Sequence, residues 1–91
     1  MTELENNFSL YRKNSSHQLK IGSNWFPLTK ERDYGDKESY SYKDEKGVCY
    51  RVYWLKNKRK FGNLFVDDPN YQGMGAKEFV IPKDRQFIND L

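Results

Sequence analysis

Apolar and polar side chains alternate with a period of two along much of this chain, most clearly between residues 48 and 66. The runs Val48-Cys49-Tyr50-Arg51-Val52-Tyr53-Trp54-Leu55 and Phe61-Gly62-Asn63-Leu64-Phe65-Val66 are rich in β-branched and aromatic residues. Such residues favour strands because their side chains pack well on a pleated surface. Between the two runs lies Lys56-Asn57-Lys58-Arg59-Lys60, which contains no apolar side chain. We therefore predict a β-hairpin with a cationic tip.

Shorter stretches of alternation predict strands before this hairpin. Phe8-Ser9-Leu10-Tyr11-Arg12 forms the first, and Leu19 and Ile21 belong to the second. The third, Trp25-Phe26-Pro27-Leu28, should lie at a sheet edge or leave the sheet, because Pro27 cannot donate to a ladder. The charged segment 29–39 interrupts the pattern, and we predict a surface loop there.

The remaining segments predict two more strands and a helical turn. Tyr40 and Tyr42 alternate with polar residues over 39–43, and a turn at 44–47 joins that strand to the hairpin. Residues 77–81 form a final short strand that stops at Pro82, whereas Gly73-Met74-Gly75 indicates irregular chain. Phe87, Ile88 and Leu91 share one side of a terminal helical turn.

These elements predict a mainly β fold with little helix. The expected architecture is a small antiparallel sheet of five or six strands, curled as a half-barrel or barrel, and a mixed α+β arrangement is the alternative. Residues 1–7 have little to bury and are expected to form a flexible tail. Residues 8–91 then form one β-rich domain, which agrees with a chain of 91 residues.

The distribution of charge along the chain indicates the class of partner. The net charge is only +3, but residues 41–62 carry seven Lys and Arg against two Asp and Glu. Aromatic residues make up 16% of the chain, which argues against disorder because these rings can form a core. Localised positive charge predicts an anionic partner, which could be nucleic acid, an anionic membrane surface or an acidic protein surface.

Cysteine content and hydropathy indicate the cellular compartment in which the protein is expected. Cys49 is the single cysteine, so an intramolecular disulfide is excluded and the fold depends on packing. The first residues, Met1-Thr2-Glu3-Leu4-Glu5, resemble no signal peptide, and no apolar run approaches the roughly 20 residues that span a bilayer. We expect a cytoplasmic protein that does not interact with membranes.

The strand before the tip has two different faces. Val48, Tyr50, Val52 and Trp54 point to one side and predict a core face. The other side carries Arg51 and Tyr53, a cation and a ring that suit phosphates and stacked bases. The alternative is an ordinary amphipathic strand covered by a loop, with Arg51 paired to Asp44 or Glu45.

The tip adds Lys56, Lys58, Arg59 and Lys60 to this candidate surface. Clustered cations repel one another, which favours a role in binding. Charged tips also keep a protein soluble and protect strand edges, so an inert turn is the alternative. A nuclear localisation patch would have a similar composition.

Residues for catalysis or metal binding are scarce. His17 is the single histidine, and we place it in a loop as a structural or solvated residue. Cys49 lies within a strand and is expected to be inert, while Asp67-Asp68 indicates a turn before Pro69. We therefore predict no enzyme, no cofactor and no metal. The exception is a metal-free ribonuclease, whose chemistry can use Tyr, Lys, Arg and one His.

The sequence thus predicts a small non-enzymatic protein that binds nucleic acid, with single strands or RNA favoured. The candidate binding residues are Arg51, Tyr53, Lys56, Lys58, Arg59 and Lys60. The alternative is a protein-interaction module or inhibitor that inserts the basic hairpin into an acidic cleft. A viral or mobile-element accessory protein acting on a host factor would be one example.

Overall fold

A computed structural model describes residues 8–14, 16–69 and 76–89, and these residues contain nine strands and one 3₁₀ turn. The predicted tail, residues 1–7, and the Gly73-Met74-Gly75 segment lie outside the described residues. The elements in chain order are β1 (Phe8–Lys13), β2 (Ser16–Ile21), β3 (Asn24–Pro27), β4 (Thr29–Asp33), β5 (Lys37–Lys43), β6 (Cys49–Leu55), β7 (Lys60–Asp67), β8 (Lys77–Phe79), the 3₁₀ turn (Lys83–Arg85) and β9 (Gln86–Asn89).

The strands form two sheets. Sheet A has four strands in the order β3-β2-β1-β9, and its pairings are antiparallel except for β1 with β9, which run parallel. Sheet B has five strands in the order β4-β5-β6-β7-β8, and each pairs with its neighbour in an antiparallel meander. Leu28, between β3 and β4, lies where the chain passes from one sheet to the other.

The core lies between the inner faces of the two sheets. The predicted core face is confirmed, since all four of its residues are at most 9% exposed: Val48, Tyr50, Val52 and Trp54. Sheet A contributes Phe8, Leu10 and Leu19 to the same cluster. Alternation along each strand produces this arrangement, because it directs every second side chain to the same interface.

The mainly β class with little helix is confirmed, but the arrangement of strands differs from the prediction. The strands divide between two sheets instead of forming one sheet of five or six strands. No closed barrel is found within residues 8–14, 16–69 and 76–89, and the curling of a sheet into a half-barrel stays a prediction. The edge position expected for the Trp25 strand is confirmed, because β3 ends sheet A.

Three local predictions are wrong. Most of the predicted surface loop is strand, because β4 occupies Thr29–Asp33 and β5 begins at Lys37. Phe87 and Ile88 of the predicted terminal helical turn lie in strand β9, whose backbone pairs with β1, and Leu91 lies outside the described residues. His17 lies in β2 and is 3% exposed, so it belongs to the interior instead of a loop.

One side chain of β9, an edge strand of sheet A, joins the two sheets. Gln86 of β9 accepts a hydrogen bond at Oε1 from the Phe61 backbone N–H over 2.8 Å. Its Nε2 donates to the carbonyl oxygens of Phe61 and Ile81, at 3.3 Å each. The side-chain amide thereby pairs with both the N–H and the carbonyl of Phe61, as the backbone of a neighbouring strand would.

Across the part of the chain that the structure describes, no helix has the length and apolar character needed to cross a membrane.

Candidate functional site

The β6–β7 hairpin forms as predicted, and its tip projects three exposed cations. The strands end at Leu55 and begin again at Lys60, with a turn over residues 56–59. Arg59 has a φ of 50°, the left-handed conformation that a tight turn requires. Lys58 and Arg59 are exposed in the turn, while Lys60 is an exposed first residue of β7.

Lys56 is not presented to solvent as an isolated cation. Its Nζ lies 2.9 Å from Oδ1 and 3.0 Å from Oδ2 of Asp33, and 3.7 Å from Oε2 of Glu38. The hydrogen bond to Asp33 raises the pKa of Lys56, and hydrogen bonds from the Gly35 backbone and Lys56 lower the pKa of Asp33. The sequence placed Asp33 in a loop, whereas it ends β4.

Arg51 is also paired with a carboxylate of β4. Its Nε donates to Oε1 of Glu31 over 2.9 Å, and its Nη2 lies 3.4 Å from Oε2. The hydrogen bond from Arg51 lowers the pKa of Glu31. The alternative interpretation of this strand paired Arg51 with Asp44 or Glu45; Arg51 is paired with a carboxylate, but that carboxylate is Glu31. Asp44 instead stabilises the β5–β6 turn, since its Oδ1 accepts hydrogen bonds from the backbone N–H groups of Lys46 and Val48.

Tyr53 belongs to a cluster of rings and cations on the outer face of sheet B. Its ring centroid lies 6.1 Å from Phe65, in an edge-to-face arrangement, and 6.3 Å from Tyr34. The Nζ of Lys37 lies 4.8 Å from the centroid of Tyr53 and 5.6 Å from that of Tyr34. The guanidinium of Arg32 lies 5.7 Å from the Tyr34 ring. We call these five residues the Tyr53 cluster.

Sequence reasoning missed four members of the Tyr53 cluster: Arg32, Tyr34, Lys37 and Phe65. The first three fall in the segment predicted as a loop, and the β4–β5 hairpin brings them beside Tyr53. Phe65 lies in the predicted hairpin but was not assigned to the binding surface. A signal was present in Asp33-Tyr34-Gly35-Asp36, which is a turn sequence between two charged runs. The Asp33 Oδ1 accepts a hydrogen bond from the Gly35 N–H, and Gly35 has a φ of 96°. That geometry is typical of a short hairpin connection.

A second set of polar residues lines a cavity of about 560 Å³ at the junction of the two sheets. The His17 ring stacks on Tyr40 with centroids 3.8 Å apart, and its Nε2 lies 2.8 Å from Nη1 of Arg12. Since a guanidinium only donates, Nε2 is the acceptor. The Tyr40 hydroxyl donates to Glu38 over 2.8 Å, and burial together with this bond raises the pKa of Tyr40.

The six predicted site residues thus divide into three groups. Arg51 and Lys56 contact carboxylates of β4, Tyr53 lies half-buried in its cluster, and Lys58, Arg59 and Lys60 are exposed at one end of the hairpin. Cys49 is half-buried and has a free thiol. Among residues 8–14, 16–69 and 76–89, no three His, Cys, Asp or Glu side chains are grouped to hold a metal ion.

Comparison of the chain with protein-family models, with curated proteins and with solved structures finds no match.

Proposed function

We propose that this protein is a small non-enzymatic binding protein for single-stranded nucleic acid and that the β6–β7 hairpin is its binding surface. The supporting observation is the Tyr53 cluster, which combines rings and cations beside the exposed cations of the tip. Single strands are held by this combination, since bases stack on rings while cations contact the backbone phosphates. As part of the same proposal, the protein works in the cytoplasm and uses no cofactor.

The carboxylates of β4 would compete with phosphates for two cations of the proposed surface. Glu31 and Asp33 occupy Arg51 and Lys56 in the free protein. A phosphate backbone would exchange with these carboxylates, as both are exposed and exposed ion pairs contribute little free energy. Lys58, Arg59 and Lys60 would make the first contacts.

The non-enzymatic part of the proposal rests on the surroundings of His17. A general base must come within hydrogen-bond distance of the proton that it removes. His17 is only 3% exposed, and its Nε2 already faces the Arg12 guanidinium. These contacts favour a structural role for the histidine over ribonuclease chemistry.

Removing the competing carboxylates should strengthen binding. We expect the double variant Glu31→Gln, Asp33→Asn to bind mixed-sequence single strands more tightly, by roughly tenfold for each released cation at about 50 mM salt. The measurement is fluorescence anisotropy with a labelled oligonucleotide. The variant Glu45→Gln, Asp67→Asn removes the same charge at the other end of sheet B and should show a smaller gain. Equal gains would mean that net charge, and not release of Arg51 and Lys56, controls affinity.

The salt dependence of affinity should report the number of phosphates contacted. Each phosphate neutralised on a single strand contributes about −0.7 to the slope of log affinity against log salt. Three or four contacts from the hairpin therefore predict a slope between roughly −2 and −3. Titrations of single- and double-stranded RNA and DNA at several salt concentrations measure it. Absence of binding to all four ligands at low salt would refute the proposal.

The second candidate function is insertion of the hairpin into an acidic cleft of another protein. One observation favours it: Arg51 and Lys56 already bind carboxylates with two close N–O contacts each. Carboxylates of a partner could take the same positions. Such a complex should keep measurable affinity at high salt through its apolar contacts and should ignore generic oligonucleotides.

A further inference from the structure

The outer face of sheet A carries three aromatic rings that the core does not use. The Tyr11 ring of β1 lies with its centroid 4.6 Å from that of Trp25 in β3 and 4.6 Å from that of Phe87 in β9. Trp25 and Phe87 are 47% and 45% exposed. The rings form a continuous surface that crosses the sheet from one edge strand to the other. We call it the sheet A platform.

The charged side chains within the strands of sheet A have one sign. The four strands of sheet A contain Arg12, Lys13 and Lys20 and no Asp or Glu. In contrast, the five strands of sheet B contain five carboxylates. Lys20 places its Nζ 5.1 Å from the centroid of the Trp25 ring, and Lys13 is exposed one pleat beyond Tyr11.

From this combination we infer that the sheet A platform is a second binding surface for single-stranded nucleic acid, in which bases stack on Trp25 and Phe87 while Lys13 and Lys20 contact phosphates. The inference rests on the proposed function for its class of ligand, but its residues are separate from the hairpin. A nucleotide joins a planar base to an anion, and the platform places rings next to cations. The site would accept either RNA or DNA, since every base has a face that can stack.

Charge favours nucleic acid over a second copy of the chain as the ligand of the sheet A platform. A symmetric dimer through the platform would bring Lys13 and Lys20 of both copies to one interface. The strands of sheet A supply no carboxylate to compensate them. Like charges at a desolvated interface oppose association, whereas a phosphate backbone neutralises them.

The two tryptophans allow a direct test. Trp25 is 47% exposed and Trp54 is 2% exposed, so quenching by an added oligonucleotide would report on Trp25. We expect oligo-dT and oligo-U of about 15 nucleotides to quench the fluorescence of the wild-type protein on binding. Quenching should be absent in Trp25→Phe, which keeps a ring and should keep its affinity within a few-fold in anisotropy measurements.

Truncation of the rings should weaken binding. Trp25→Ala and Phe87→Ala should each lose roughly 5- to 150-fold in affinity, the range measured for removal of one stacking side chain. Val80→Ala is the matched control, because it shortens an apolar side chain that is 73% exposed outside sheet A. It should bind as the wild type does. Thermal melts of all variants identify any loss of affinity that is caused by unfolding.

Comparison with the hairpin variant Lys58→Glu, Arg59→Glu, Lys60→Glu separates the two proposals. If the ring variants bind as the wild type does while the hairpin variant fails, the platform is refuted and the hairpin site stands. If the ring variants lose affinity and the hairpin variant does not, the hairpin site is refuted and the platform stands. Binding without a change in Trp25 fluorescence would also overturn the inference. So would sedimentation showing a dimer that Trp25→Ala dissociates in a protein that binds no oligonucleotide.

Discussion

Replacement of Trp54 by alanine should lower the free energy of unfolding by about 3 to 5 kcal/mol, the cost of truncating a large buried ring. Trp54 is 2% exposed, and its ring lies 5.0 Å from Phe61 in an edge-to-face contact. The Arg12 guanidinium also lies 4.3 Å from the ring centroid, where the π face stabilises it. Alanine would leave a cavity between the sheets and remove this contact. Urea denaturation with an unchanged m-value measures the loss.

Substitutions of two less buried aromatic residues provide the controls. Trp25→Ala removes the exposed tryptophan and should cost roughly 1 kcal/mol, since it loses the contact with Tyr11 but creates little cavity. Tyr53→Ala should mainly weaken nucleic-acid binding, because Tyr53 is half-buried on the outer face of sheet B. Similar stability losses for Trp54→Ala and Tyr53→Ala, with binding intact, would mean that both faces of β6 are structural.

Reversal of Lys58, Arg59 and Lys60 to glutamate should abolish binding of single-stranded nucleic acid at the hairpin, so that any remaining affinity is that of the sheet A platform. Three phosphate contacts at about −0.7 each in the salt slope contribute on the order of several hundred-fold to affinity in roughly 50 mM salt, and the new carboxylates add repulsion. Thermal stability should change little, because the three side chains are exposed. Anisotropy titration and a thermal melt of the same preparation measure both quantities.

A charge-matched variant shows whether the position of the charge matters. Lys43, Lys46 and Lys77 lie at the end of sheet B away from the tip, near the β5–β6 turn. Their reversal to glutamate changes the net charge equally, and it should reduce affinity far less. An affinity that reversal of the tip leaves unchanged would show that the tip is an inert turn.

The central hairpin was predictable because its sequence contains both signals that a hairpin needs. Alternation assigned Val52 and Trp54 to the core and Arg51 and Tyr53 to the other face, and the structure places them so. The break in apolar residues over 56–60 marked the turn, which occupies 56–59 in the structure. Each of these signals is local, so one sequence was sufficient.

Strands β4 and β9 could not be found in this way, because neither has a buried face that sequence alternation reveals. All five residues of β4 are exposed, and the strand exists through its backbone pairing with β5. In β9, the apolar residues Phe87 and Ile88 are adjacent in sequence, which does not give the alternation of a strand, and the pattern therefore suggested a helical turn. Both side chains are exposed in the structure. Its pairing with β1 is a contact between distant parts of the chain.

The same limit applies to the candidate site. The sequence identified the cations Arg51 and Lys56 but not their partners, Glu31 and Asp33, which are about twenty residues earlier in the chain. For Arg51, the alternative interpretation named Asp44 or Glu45, which are nearer in sequence, and no partner was predicted for Lys56. His17 was misplaced for a related reason, since only packing of the two sheets brings it against Tyr40.

The parallel pairing of β1 with β9 has a consequence for the order of folding. The other strand pairs join elements that follow one another in the chain, so their loops are short and close quickly. Leu10 meets Gln86 only after nearly the whole described chain has been made, and closing so long a loop is entropically costly. Until β9 pairs with β1, one edge of β1 has open backbone groups, which can template pairing between copies. Aggregation during synthesis should therefore depend on how soon residues 86–89 reach that edge.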